Sequence, residues 1–179
     1  MKLAHGIGAL AAAACLAAAT TSFGREGDLE EAGRIAAMMA NELRRQEGLH
    51  AVAVNRRLEQ AARYFAEYMA KTGRFGHEAD GRDMAARAAE RGYDYSAISE
   101  NIAYLPLANG FSAAALAQTF TRMWKDSPGH RRNMLDPDVT ETATALARSS
   151  SGHYYAVQLF ARPSTARVRS SVRRLDRRG

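Results

Sequence analysis

Apolar residues recur at three- and four-residue spacings over 28–47. Leu29, Ala32, Ile35, Ala36, Met39 and Leu43 line one face, and Glu30, Glu31, Arg34 and Arg45 fall on the other. This pattern predicts a first helix, closed by Gly48. After a short apolar link, 49–54, Asn55 stands where a side chain caps free backbone N–H groups. The stripe Leu58, Ala61, Ala62, Phe65 and Met69 then predicts a second helix ending at Thr72-Gly73. The next stretch, Arg74-Phe75-Gly76-His77-Glu78-Ala79-Asp80-Gly81, is a polar, glycine-punctuated loop that places His77 just beyond a helix end. Residues 82–91 read as a third, shorter helix stopped by Gly92.

Ile102, Ala103, Tyr104 and Leu105 form an apolar run of strand length, with Glu100 at its mouth. Ser112 is placed to cap a fourth helix reaching about residue 125, with Leu116, Phe120, Met123 and Trp124 on one face. A tryptophan in such a stripe is expected to be a core anchor. In Ser127-Pro128-Gly129-His130-Arg131-Arg132-Asn133-Met134-Leu135, Ser127 is a candidate cap and Pro128 suits the first helical position. His130 then lies in the first turn, where the positive end of the helix dipole disfavours a proton on the ring. Two strand-like runs, 140–148 and 153–160, flank Ser149-Ser150-Ser151-Gly152. In the second, Tyr155, Val157 and Leu159 alternate with Tyr154, Ala156, Gln158 and Phe160. Helices, one isolated strand and a closing hairpin predict an α+β domain with an antiparallel sheet between helices, not a βαβ wind.

Charge and composition change this picture mainly at the ends. Met1-Lys2 precedes an uncharged, alanine-rich run from Ile7 to Ala19, too short to span a bilayer as a stable helix. Residues 1–19 therefore read as a signal peptide, with an A-x-A cleavage site at Ala17-Ala18-Ala19 and a secreted or periplasmic product. The alternative is a lipoprotein anchored at Cys15, the chain's single cysteine. Cleavage after Ala19 leaves no thiol, so stability must come from a packed core of one domain, expected over 28–162. Residues 161–179 hold seven arginines against Asp176 alone, a net +6 that equals the formal charge of the whole 179-residue chain. The basic character belongs to the tail, expected to be a disordered, arginine-rich segment over 163–179, and gives no argument for nucleic-acid binding.

Phe75-Gly76-His77, Ser99-Glu100-Asn101-Ile102-Ala103, the Met123-Trp124 pair before Ser127-Pro128-Gly129-His130-Arg131-Arg132-Asn133-Met134, and Tyr155-Ala156-Val157-Gln158-Leu159-Phe160 occur in this order. Together they resemble the CAP superfamily of cysteine-rich secretory proteins, venom allergens and plant pathogenesis-related proteins, in its short bacterial, disulfide-free form. The resemblance covers about residues 31–161. It implies a three-layer α-β-α sandwich with a central cavity lined by two histidines and two acidic residues. Carried across, the histidines are His77 and His130 and the first acid is Glu100. The second acid's position falls at Ser127, with Asp126 beside it as the candidate replacement. Ala143 and Ala145 stand where glycines are common in the family.

Two neutral imidazoles and a carboxylate suit a divalent metal such as Zn²⁺, so His77, His130 and Glu100 form the expected metal set. The ligands come from separate loops, without the HExxH arrangement that supplies a general base from one helix. The expected function is an exported, non-catalytic binding module for an ion, a small molecule, a lipid or a cell-envelope component. One alternative is a metal-dependent hydrolase or protease using His77, Glu100 and His130, although no nucleophile elbow is evident. The other is an envelope tether whose basic tail contacts an anionic membrane or polyanion.

Overall fold

A computed structural model of the protein describes residues 26–106 and 111–164. The expected signal peptide with Cys15, and residues 165–179 of the expected tail, lie outside the described residues. Among the described residues nine elements follow one another: α1 (Glu26–Gln46), β1 (Ala53–Val54), α2 (Arg56–Thr72), α3 (Met84–Glu90), β2 (Tyr95–Leu105), α4 (Ala113–Asp126), α5 (Pro128–Met134), β3 (Glu141–Arg148) and β4 (Tyr154–Pro163). The strands make a four-stranded sheet in the order β1-β3-β4-β2.

The sheet is the middle layer of an α-β-α sandwich of the α+β class. Odd-numbered residues of β3 and β4, such as Ala143, Ala145, Tyr155, Val157 and Leu159, pack with Leu58, Phe65 and Met69 of α2 on one face. Even-numbered ones, including Leu146, Tyr154, Ala156 and Phe160, pack on the other face with α1, α4 and α5. The alternation seen in the hairpin is therefore an alternation between two cores, because strand side chains point to opposite faces with period two. At Gly33, a Cβ would stand 2.4 Å from the carbonyl oxygen of Thr144, so only glycine lets α1 lie directly on β3.

Local capping chemistry explains most helix limits. The Asn55 side chain accepts from the backbone N–H groups of Arg57 and Leu58, and Gly73 closes α2 in the left-handed conformation at φ 71°. Asp83 and Ser112 cap α3 and α4 through the N–H groups of Ala86 and Ala115.

The structure corrects several expectations. The link before α2 contains β1, whose residues pair in parallel with Glu141 and Thr142, so the sheet is mixed rather than wholly antiparallel. β2 is eleven residues long, and Glu100 sits at its centre opposite Leu159 instead of at its mouth. Ser96-Ala97-Ile98-Ser99-Glu100-Asn101 is mostly polar and shows no strand alternation, which hid this length. Ser127 occupies the cap position of α5 without a side-chain cap bond; Pro128 alone carries the start signal there. Met123 is 38% exposed and leaves the stripe, whereas Leu116, Phe120 and Trp124 are fully buried. β4 continues through Pro163, and Ser164 donates its N–H to the Asp94 carbonyl, so pairing extends past residue 162.

α5 is short and is held from outside. Arg44 of α1, 1% exposed, donates from Nη1 to the carbonyls of Met134 (2.9 Å) and Asp136 (2.8 Å) and from Nε to that of His50 (2.9 Å). The bonds to Met134 and Asp136 satisfy carbonyls at and just beyond the helix C-terminus that the helix itself cannot. They also set where α5, and hence His130, stands.

Candidate functional site

The site forms around β2, an edge strand of the sheet. On the α2 face, the loop after Gly73 turns through Gly76 and Gly81, with Ala79 N–H bonded to the Gly76 carbonyl and Gly81 N–H to that of Glu78. This brings His77 against Glu100, and their Nδ1 and Oε1 atoms are 3.0 Å apart. The other Glu100 oxygen accepts from Arg87 Nη2 at 2.8 Å, and Arg87 Nη1 donates to Asp80 Oδ1 at 2.9 Å. The side chains of Arg87, Glu100 and Asp80 are 2%, 1% and 1% exposed, while that of His77 is 53% exposed. Burying such charges is favourable only when they are paired and hydrogen-bonded on all sides. Arg87 meets that condition, because it also donates to the backbone carbonyls of Arg82 and His77 and lies 3.5 Å over the Phe65 ring.

On the opposite face, α5 docks through a chain of side-chain amides. Asn133 donates to the Glu100 carbonyl at 3.3 Å and to Asn101 Oδ1 at 2.9 Å. Asn101 donates to the His130 carbonyl and to Gln158 Oε1, both at 3.2 Å, and Gln158 donates to Thr144 Oγ1 at 3.2 Å. Asn101 and Gln158 are fully buried. The ladder ties the backbone of both His130 and Glu100 to the sheet centre.

The two histidines are driven in opposite directions. Hydrogen bonding to Glu100 raises the His77 pKa above the usual imidazole value, against the opposing effect of burial. Burial lowers that of His130, and the charge of nearby His77 lowers it further. The lowering of His130 agrees with the direction read from the sequence, but its causes are burial and His77.

The expected metal set does not assemble as three ligands. Glu100 has both oxygens engaged, and among the described residues no group of three or more His, Asp, Glu or Cys side chains comes together to hold an ion. What remains is a pair of imidazoles, with Glu100 orienting His77 through Nδ1 and leaving Nε2 for a ligand. Asp126 is exposed at the end of α4, and among the described residues no hydrogen bond or ion pair joins it to His77, Glu100 or His130. The partners that Glu100 does have are His77 and Arg87.

Arg87, Asp80 and the amide ladder escaped the sequence reading. Arg87 carried a signal, because in Met84-Ala85-Ala86-Arg87-Ala88 it shares the helix face of Met84 and buried Ala88. A lone cation on an apolar face needs a buried acceptor.

An α-β-α sandwich with a histidine on either side of a buried, strand-borne glutamate defines the class of protein. The chain belongs to the CAP, or cysteine-rich secretory protein, family, whose model matches residues 39–160. An outer surface protein from Borrelia burgdorferi is similar in structure, with a TM-score of 0.67 at 18% identity over 79% of this chain and 100% of that one. An extracellular SCP-domain protein of Bacillus anthracis gives 0.58 at 20% identity over 73% of this chain and 40% of that one. NaASP2, recorded with Zn²⁺, gives 0.55 at 14% identity over 76% and 83%. At these identities the likeness is one of fold. No curated protein sequence matches the chain.

Proposed function

We propose that the protein is an exported, non-catalytic CAP-domain binding module whose cleft offers the His77 and His130 imidazoles to its ligand. The observation that carries this reading is the double engagement of Glu100, held by His77 on one oxygen and by Arg87 on the other. A carboxylate so committed orients an imidazole and is poorly placed to take a proton from water. A divalent ion such as Zn²⁺ would be held by His77 and His130 alone, with its remaining positions left to a small molecule, lipid headgroup, envelope component or water. The Zn²⁺ recorded with NaASP2 supports that choice of ion. Export is supported by the apolar N-terminal run and by relatives described as extracellular or outer-surface proteins. The site of anchorage, Cys15 or none, belongs to the same proposal.

The test is native mass spectrometry of protein beginning at Thr20, purified without a metal-affinity tag and titrated with Zn²⁺. One equivalent bound, lost in His130→Ala and without turnover of peptides, esters or glycans, is expected. Absence of Zn²⁺ uptake removes the metal from the reading, and turnover that needs His77 replaces it with the hydrolase. The opposed pKa directions of His77 and His130 are what favours an enzyme, since acid and base partners are separated in this way. For the envelope-tether alternative, the basic tail is the supporting feature, and salt-sensitive retention on anionic vesicles is its test.

A further inference from the structure

Glu100, Ile102 and Tyr104 alternate along β2 and face the same side of the sheet, which sets Tyr104 about 13 Å from Glu100 at ~3.3 Å per residue. There a pocket of about 470 Å³ opens between the end of α2, the end of β2 and the β3–β4 hairpin loop. None of the cleft residues His77, Glu100 or His130 lines it. Its volume lies within the ~300–1,000 Å³ of ordinary small-molecule sites.

One wall is aromatic. Phe75, 51% exposed, lies with its centroid 6.0 Å from Tyr104 and 6.5 Å from Tyr155, and Tyr104 and Tyr155 are 5.0 Å apart. The rest of the lining contributed by the hairpin is polar. Ser149 and Ser151 share a hydrogen bond of 2.9 Å between their hydroxyls, Ser149 Oγ accepts the His153 N–H at 3.0 Å, and His153 Nδ1 is hydrogen-bonded to the Tyr104 hydroxyl. Among the described residues the lining holds no carboxylate and one cation, Lys71 at the end of α2.

We propose that this pocket binds a β-linked pyranose of a glycan, independently of the His77/His130 cleft. A pyranose whose substituents are equatorial has a flat C–H face and a hydroxyl periphery. The face matches an exposed ring such as Phe75, whose π-cloud attracts the polarised C–H groups. The periphery matches hydroxyls and an imidazole that accept and donate at one edge. An alkyl chain fits poorly, because it would strip water from Ser149, Ser151 and His153 without replacing their hydrogen bonds. With no carboxylate in the described lining, recognition does not depend on a bridging cation.

The experiment is saturation-transfer NMR and calorimetry of the full chain with chitotetraose and with cellotetraose, and separately with palmitate. Ring-proton saturation and a Kd of about 1 mM or tighter for at least one tetrasaccharide are expected. Phe75→Ala should weaken it about tenfold or more, as loss of the stacking ring requires. Ser151→Ala should weaken it less, and His77→Ala should leave it unchanged while removing any metal uptake. Phe75 is exposed, so its replacement leaves the core intact, and circular dichroism of that variant confirms the fold. Binding of neither sugar, equal binding by Phe75→Ala, or binding of palmitate alone overturns the proposal. Loss of sugar binding in His77→Ala overturns its independence from the cleft.

Discussion

Arg87 Nη2 reaches Glu100 Oε2 at 2.8 Å in a pair whose side chains are 2% and 1% exposed. The bond joins α3 to the centre of β2 and sets which Glu100 oxygen is left for His77. Removing Arg87 leaves buried Glu100 with His77 as its only side-chain partner, whereas removing Glu100 leaves Arg87 still paired with Asp80. Arg87→Met should therefore cost about 3 to 5 kcal/mol in denaturant unfolding, whereas Arg87→Met combined with Glu100→Met should cost less than the sum of the two single changes. A double variant as unstable as the sum of the singles would show that the pair is not coupled.

The two histidines should tilt stability in opposite directions with pH. The His77 pKa is raised above 6.5, so its contribution is fully present below that value and is lost as pH rises through the folded pKa. The His130 pKa is lowered, so its contribution is present above 6.5 and is lost as pH falls through the folded value. Their combined contribution peaks near pH 6.5. Unfolding curves across pH should lose the alkaline decline in His77→Gln and the acid decline in His130→Gln. Nitrogen-15 NMR titration of Glu100→Gln should show the His77 pKa moving down, since the hydrogen bond to the carboxylate is its largest upward cause.

Trp124 is fully buried in the core and carries an unmatched donor, because Nε1 has no hydrogen-bond partner among the described residues. Trp124→Ala should cost about 3 to 5 kcal/mol through lost burial and a cavity. Trp124→Phe should cost much less, because it keeps a ring against Phe120 and removes the unpaired N–H. Thermal unfolding of the two variants checks the order.

Caps that look alike in the sequence should differ when removed. Asn55→Ala loses two side-chain acceptor bonds at the start of α2 and should cost about 1 kcal/mol, while Ser127→Ala should be nearly neutral, since its side chain makes no cap bond. A loss at Ser127 equal to that at Asn55 would assign the α5 start to a cap rather than to Pro128.

Truncation should separate the tail from the fold. Residues 165–179 include six of the seven arginines after residue 160 and few apolar residues, so deleting them should lower the melting temperature by less than about 5 °C. Ending the chain at Phe160 should lower it more, because Ala161 and Arg162 pair with Ile98 and Ala97 and the Ala161 carbonyl accepts from Thr140.

The sequence by itself determined the local elements whose signals lie within a few residues of one another. The α2 stripe with its Asn55 cap and Gly73 stop is one case, and the two-faced alternation of 154–160 is another. It also named His77, Glu100 and His130, because the motifs that carry them survive as short strings. Tertiary structure alone decided what those residues touch. Asp126 stands beside the motif in sequence, yet among the described residues no hydrogen bond or ion pair joins it to Glu100, while Arg87, thirteen residues before Glu100, takes its second oxygen. The same holds for β1, whose two residues pair with a strand almost ninety positions later, and for Arg44, which closes α5 from ninety residues away. The reason is physical: helix and strand periodicity are set by neighbours three, four or two positions apart. The partner of a buried charge is set by which distant surfaces the packed core brings into contact, and that contact leaves no period in the chain.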